Sequence, residues 1–199
     1  MKKLLSKLFK SKEEIIVVSG LPRSGTSMMM KMLDAAGIPP LTDNIRTADD
    51  DNPKGYYEFE RAKKLKEGDV AWLPDAQGKV VKIIGALLVE LPANYKYKVL
   101  FMRRKMDEIL ASQNKMLARR GEDQKVDDET IAKLFQKHIQ QVEFWMQNQP
   151  NLDYLDVEYN EMLKNPKPQV EAIVRFLGRE MDIDTMAAIV DPELYRQRK

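Results

Sequence analysis

Residues 15–33, IIVVSGLPRSGTSMMMKML, pass from an apolar, β-branched run through a glycine-punctuated loop into a helix-forming stretch. Gly20 and Gly25 permit tight turns that expose successive backbone N–H groups, and the following helix aims the positive end of its dipole at the same place. This is a cradle for a phosphate-like anion. Arg23 is the cation inside the loop, and Ser24, Thr26 and Ser27 add hydroxyls. A second anion subsite is suggested by Arg104 and Ser112, because a guanidinium fork and a hydroxyl suit a phosphate monoester with its several acceptor oxygens.

The elements that must position these residues follow from periodicity. Strand and helix signals alternate, which predicts an α/β fold with a mostly parallel central sheet and helices on both faces, a three-layer arrangement. A first strand is expected over roughly 14–19 and its helix over roughly 24–36, stopped by Gly37 with Pro39 and Pro40 beyond. Residues 41–58 read as a polar connection, with Asp49, Asp50 and Asp51 on a solvated loop and Asn52-Pro53-Lys54-Gly55 as a turn. A helix near 59–67, strands at 80–84, 97–102 and 152–157, a short helix before Pro92, and helices near 105–119, 128–147 and 168–177 complete the reading. Arg104 then stands just past the end of the 97–102 strand, at the carboxyl edge where open α/β sheets bind ligands.

At 199 residues and 43% hydrophobic content, the chain is expected to form one domain over 1–199, with enough core to fold without disulfides or metals. Its 33 basic and 31 acidic residues leave a net charge of +2, which gives no case for a nucleic-acid partner. There are no cysteines and one histidine, so thiol catalysis, CxxC metal sites and histidine-rich metal sites are excluded. The opening MKKLLSKLFKSKEE lacks a cleavable signal pattern and reads as a frayed basic helix over 1–12. Leu4, Leu5, Leu8 and Phe9 line one of its sides, suiting packing on the domain or weak membrane-surface contact. No run of 18 apolar residues occurs, so no transmembrane segment is expected, and the location is expected to be cytoplasmic.

Gly20-Leu21-Pro22-Arg23-Ser24-Gly25-Thr26-Ser27 is spaced like the nucleoside-triphosphate loop GxxxxGK[ST], but Thr26 stands where that loop has lysine. It resembles instead the 5′-phosphosulfate loop of sulfotransferases, the P-loop-type enzymes that use 3′-phosphoadenosine 5′-phosphosulfate (PAPS), and within them a bacterial branch with a Pro-Arg-Ser-Gly-Thr loop. Arg104 and Ser112 are similar to the pair that holds the 3′-phosphate in that family. Tyr159-Asn160-Glu161-Met162, with Pro166 beyond, and AIVRFLG over 172–178 resemble two further family blocks, and Tyr159 matches a tyrosine that touches the adenine. Phe176 and Leu177 are expected to pack in the core. The resemblance implies PAPS as co-substrate, no metal, and a small-molecule or glycan acceptor.

Val81-Lys82-Ile83-Ile84 resembles the segment that carries a lysine and, two residues on, the histidine base of cytosolic relatives. Lys82 is retained and implied to meet the transferring sulfuryl group, whereas Ile84 fills the histidine position. His138 lies on a helical stripe with Ile131, Leu134, Phe135, Val142 and Trp145, so a partly buried structural role is expected for it. The branch with this loop uses a carboxylate, which leaves Glu58 and Asp43 as candidate bases. Tyr56, Tyr57, Phe59 and Trp72 either line an acceptor pocket or belong to the core. Two rivals stay open: an ATP- and Mg²⁺-dependent phosphotransferase, for which Asp156 is the nearest metal-binding aspartate, and a non-catalytic nucleotide-binding protein of the same fold.

Overall fold

The computed structural model describes residues 13–43, 45, 55–122 and 125–191. Strand β1 (Ile15–Gly20) is buried along its whole length, as the unbroken Ile-Ile-Val-Val run requires. With no polar face, it must be covered on both sides, the situation of a central strand in a parallel sheet. It lies between β2 (Val80–Lys82) and β3 (Tyr97–Arg103), and β4 (Leu152–Glu158) extends the sheet to four parallel strands in the order β2-β1-β3-β4.

The α-helices among the described residues are α1 (Thr26–Ala35), α2 (Leu73–Ala76), α3 (Met106–Arg119), α4 (Asp128–Gln147), α5 (Tyr159–Lys164), α6 (Pro166–Leu177) and α7 (Ile183–Ala187), with 3-10 helices at Glu60–Glu67 and Gly85–Glu90. Alternate strand residues point to opposite faces, and here they feed two cores. Ile15, Val17, Val81, Val99 and Phe101 pack with Leu65, Leu73, Leu88, Val142 and Met146. On the other face Ile16, Val18, Leu100 and Met102 pack with Met29, Leu33, Met162, Ile173 and Met186.

The strand order fixes the site. From β1 the chain crosses to β2 on one side, then passes back over β1 to β3 on the other, so the crevice at their carboxyl ends is a topological switch point. Gly20 is in register with Met102. The loop after β1 and the Arg104 segment after β3 therefore leave the sheet side by side.

Several expectations are corrected in detail. The strand expected over 80–84 ends at Lys82, because Ile84 is extended at the entrance to the Gly85–Glu90 turn and 45% exposed. The element near 59–67 is a 3-10 helix stopped by Gly68 at φ 84°, and α6 starts at Pro166, where a proline at the first position needs no N–H partner. Leu134 leaves the expected α4 stripe: it is 60% exposed, since at 100° per residue it falls at the edge of the arc that Val142 centres on the core. Helices α2, α5 and α7 were not expected. The expected N-terminal helix with Leu4, Leu5, Leu8 and Phe9, the Asp49, Asp50 and Asp51 loop, and Asn52-Pro53-Lys54 of the turn lie outside the described residues. Among the described residues no helix is long and apolar enough to cross a membrane.

Candidate functional site

The loop between β1 and α1 is shaped by residues that tolerate no alternative. A Cβ on Gly20 would lie 2.7 Å from both the Met102 carbonyl and Ser24 Oγ, and one on Gly25, at φ 99°, would lie 2.4 Å from the Tyr159 ring. Arg23 adopts φ 68°, a left-handed conformation unusual for a side chain other than Asn or Asp. The Ser24 hydroxyl donates to the Leu21 carbonyl at 2.7 Å, and its N–H donates to the same oxygen at 3.3 Å. Ser24 therefore braces the turn rather than facing outward. Gly25 caps α1 without a side-chain acceptor, so the first-turn amides keep their partial positive charge toward the crevice.

A cavity of about 620 Å³ opens above this loop, lined among others by Arg23, Gly25, Thr26, Ser27, Tyr56, Glu58, Lys82, Arg104, Ser112 and Tyr159. Of the site residues expected from sequence, these share one space, whereas Ser24 and Asp43 do not line it. The Asp43 carboxylate instead accepts from the backbone N–H groups of Glu60 at 2.6 Å and Ile45 at 3.1 Å. It ties the polar connection to the start of the Glu60–Glu67 turn.

At one end of the cavity Arg104 Nε donates to Glu108 Oε2 at 3.0 Å, and its Nη1 donates to the Arg23 carbonyl at 2.9 Å. Its guanidinium lies 4.6 Å from the centre of the Tyr159 ring. Arg23 Nε in turn donates to Ser112 Oγ at 2.9 Å. The two segments expected to hold anions are thus joined by bonds between residues 81 and 89 positions apart in sequence. Burial pushes the Tyr159 hydroxyl above its usual range, against the pull of Arg104, so the phenol stays neutral at physiological pH.

Elsewhere in the cavity Lys82 Nζ donates to the Tyr56 carbonyl at 2.6 Å and to Ser27 Oγ at 3.3 Å, and it stands 3.8 Å from Glu58 Oε1. Glu58 Oε2 is paired with Lys63 at 2.8 Å. A carboxylate is thus held between two ammonium groups within reach of the β1–α1 loop. Tyr56 lines the cavity, but Phe59 and Trp72 meet edge to face at 5.4 Å in the first core, and the Tyr57 hydroxyl donates to Asp34. His138 packs with Nε2 3.3 Å from where a Gly85 Cβ would be. Burial lowers its pKa, and it does not line the cavity. Asp156 accepts from Arg103 Nε at 2.8 Å and lies outside the cavity lining.

Sequence reasoning missed Glu108 and the cations Lys31, Lys63, Lys115, Arg119 and Arg120 of the cavity wall. The signal for Glu108 was its position four residues after Arg104, one helical turn. That for Lys115 and Arg119 was their spacing of three and seven residues from Ser112 on α3, which shares a helix face.

The comparisons with known proteins agree on one family. A model of the sulfotransferase family matches residues 71–183, more than half of the 199, and begins after the β1–α1 loop. Sulfotransferase 1A1 of Canis lupus familiaris is 22% identical over 201 residues, which is 96% of this chain and 68% of that protein. Among solved structures, the sulfotransferase domain of the Synechococcus PCC 7002 olefin synthase superposes with a TM-score of 0.58 at 14% identity, covering 96% of this chain and 90% of that one. Mouse sulfotransferase SULT7A1, complexed with PAP, gives 0.51 at 18% identity over 90% of this chain and 63% of its own. At such identities the structural likeness speaks for the fold.

Proposed function

Because the chain belongs to the sulfotransferase family, we propose that it moves the sulfuryl group of PAPS to a hydroxyl or amine acceptor, acting as one domain. The observation that carries this reading is the pair of anion subsites in a single cavity, the β1–α1 loop and the Arg104–Ser112 pair. A nucleotide phosphorylated at both the 3′ and 5′ oxygens of its ribose would engage both subsites, and the mouse neighbour is complexed with PAP. PAPS supplies an activated sulfuryl group. The acceptor oxygen or nitrogen bonds to sulfur, the bond from sulfur to the 5′-phosphate oxygen breaks, and adenosine 3′,5′-bisphosphate leaves.

The chain's task is positioning and charge stabilisation. The N–H groups of Gly25, Thr26 and Ser27 hold the 5′-phosphate, and Arg23 and Lys82 meet the charge that grows on it. Arg104 and Ser112 hold the 3′-phosphate, with Tyr159 at the base. Glu58 takes the acceptor's proton, since Ile84 cannot and Asp43 is committed to backbone amides. The phosphotransferase reading is weakened because Asp156, its nearest candidate metal ligand, is paired with Arg103 outside the cavity.

The test is a screen of phenol, alcohol, amine and glycan acceptors with radiolabelled PAPS. Label should pass to at least one acceptor class with equimolar release of the bisphosphate. Failure of every class, together with no preference for the bisphosphate over AMP in binding, would overturn the proposal.

A further inference from the structure

Glu108 is fully buried on α3, and a buried charge persists only where it is paired and hydrogen-bonded. Both its oxygens are used. Oε2 accepts from Arg104 Nε at 3.0 Å, and Oε1 accepts from Asn160 Nδ2 at 2.8 Å. Asn160 is the second residue of α5, directly after Tyr159, whose ring lies under the Arg104 guanidinium. Arg104 is therefore fixed from its Nε edge by a carboxylate and from its face by an aromatic ring, while its Nη1 reaches the carbonyl of Arg23.

That last bond extends the chain of contacts to the phosphate loop. Arg23 has φ 68°, a conformation that needs support from its surroundings, and the bond from Arg104 to its carbonyl gives that support. Arg23 then donates to the Ser112 oxygen. A serine hydroxyl that accepts such a bond keeps its own hydrogen to give to a ligand. We propose that Glu108 is a positioning residue that sets both anion subsites at once, through Arg104 to the 3′-phosphate end and through the Arg23 carbonyl and Ser112 to the loop end. This inference rests on the nucleotide reading above.

Its test separates the two. Binding of adenosine 3′,5′-bisphosphate and of AMP is measured by calorimetry for the wild type, Glu108→Gln and Asn160→Ala. The wild type should prefer the bisphosphate, and equal affinities there would sink the nucleotide reading itself. Loss of a hydrogen bond to a charged group is worth roughly ten- to a hundredfold, so Glu108→Gln should lose most of the bisphosphate preference, which reads the 3′-phosphate end, and should also bind AMP more weakly, which reads the loop end. Asn160→Ala should lose a smaller part of it, with turnover showing a raised KM for PAPS. A carboxylate that merely stabilised the fold would lower the melting temperature and leave the affinity ratio where it was. A preserved ratio in Glu108→Gln overturns the inference, and should that variant fail to fold, a preserved ratio in Asn160→Ala does so.

Discussion

At the scale of single residues, the site depends on positions where one atom more would not fit. Gly25 combines φ 99° with a Cβ position 2.4 Å from the Tyr159 ring. Alanine there carries a left-handed backbone strain of about 1–2 kcal/mol and must also displace the ring that supports Arg104. The strain weakens the fold, whereas in Gly25→Ala the shift of the loop amides and of the ring is expected to lower bisphosphate affinity by about tenfold, or 1.4 kcal/mol. Isothermal titration would show it, and unchanged affinity would mean that the loop amides do not hold the nucleotide. The candidate bases separate at the same scale. Glu58→Gln keeps size and removes basicity, so turnover should fall by about 10² to 10⁴ with bisphosphate affinity intact. Asp43→Asn should instead reduce thermal stability, because Asp43 serves two backbone amides. Equal turnover in Glu58→Gln and wild type would remove Glu58 from the mechanism.

At the scale of elements, what the sequence revealed was what is local. The β1 run, the glycine loop and α1 lie within residues 15–35, and the structure has them nearly where periodicity puts them. The strand ahead of Arg104 was equally legible, and so was the Gly178 stop of α6 at φ 65°. Helix α5 was not, because six residues carry too little periodicity. The bond from Arg23 to Ser112 joins residues 89 apart, and no spacing rule reaches that far. Asp43 is a candidate base in the sequence because it lies in the connection after the first helix, but which backbone amides claim it depends on how the chain returns at Glu60.

His138 on α4 gives an element-scale prediction. Burial lowers its pKa in the folded protein, so the unfolded chain binds its proton more readily as pH falls below about 6.5. The stability that a neutral, buried imidazole contributes is therefore complete above that pH and is lost as pH drops through the folded value. The wild-type melting temperature should fall more steeply between about pH 7 and pH 5 than that of His138→Gln. Identical slopes would show that the imidazole titrates alike in both states.

At the scale of the whole molecule, the four-stranded sheet is a frame that brings β1, β2 and β3 to one edge. Two cores, one on each face, hold that frame against the helices. A ligand seated across the edge contacts segments from several elements, none of which forms the site alone, so binding should be felt by the fold as a unit. A ligand bound only by the folded chain stabilises it by about 2.7 kcal/mol at a hundredfold excess over Kd. For a protein of this size each kcal/mol moves the melting temperature by about 2–4 °C. Adenosine 3′,5′-bisphosphate at that excess should thus raise it by about 5–11 °C, and AMP at the same concentration by much less. Because Thr26 replaces the loop lysine and Asp156 is tied to Arg103, the rise and the turnover should both be unchanged by excess EDTA. A rise of the same size with ATP and Mg²⁺, abolished by EDTA, would transfer the site from sulfuryl to phosphoryl chemistry.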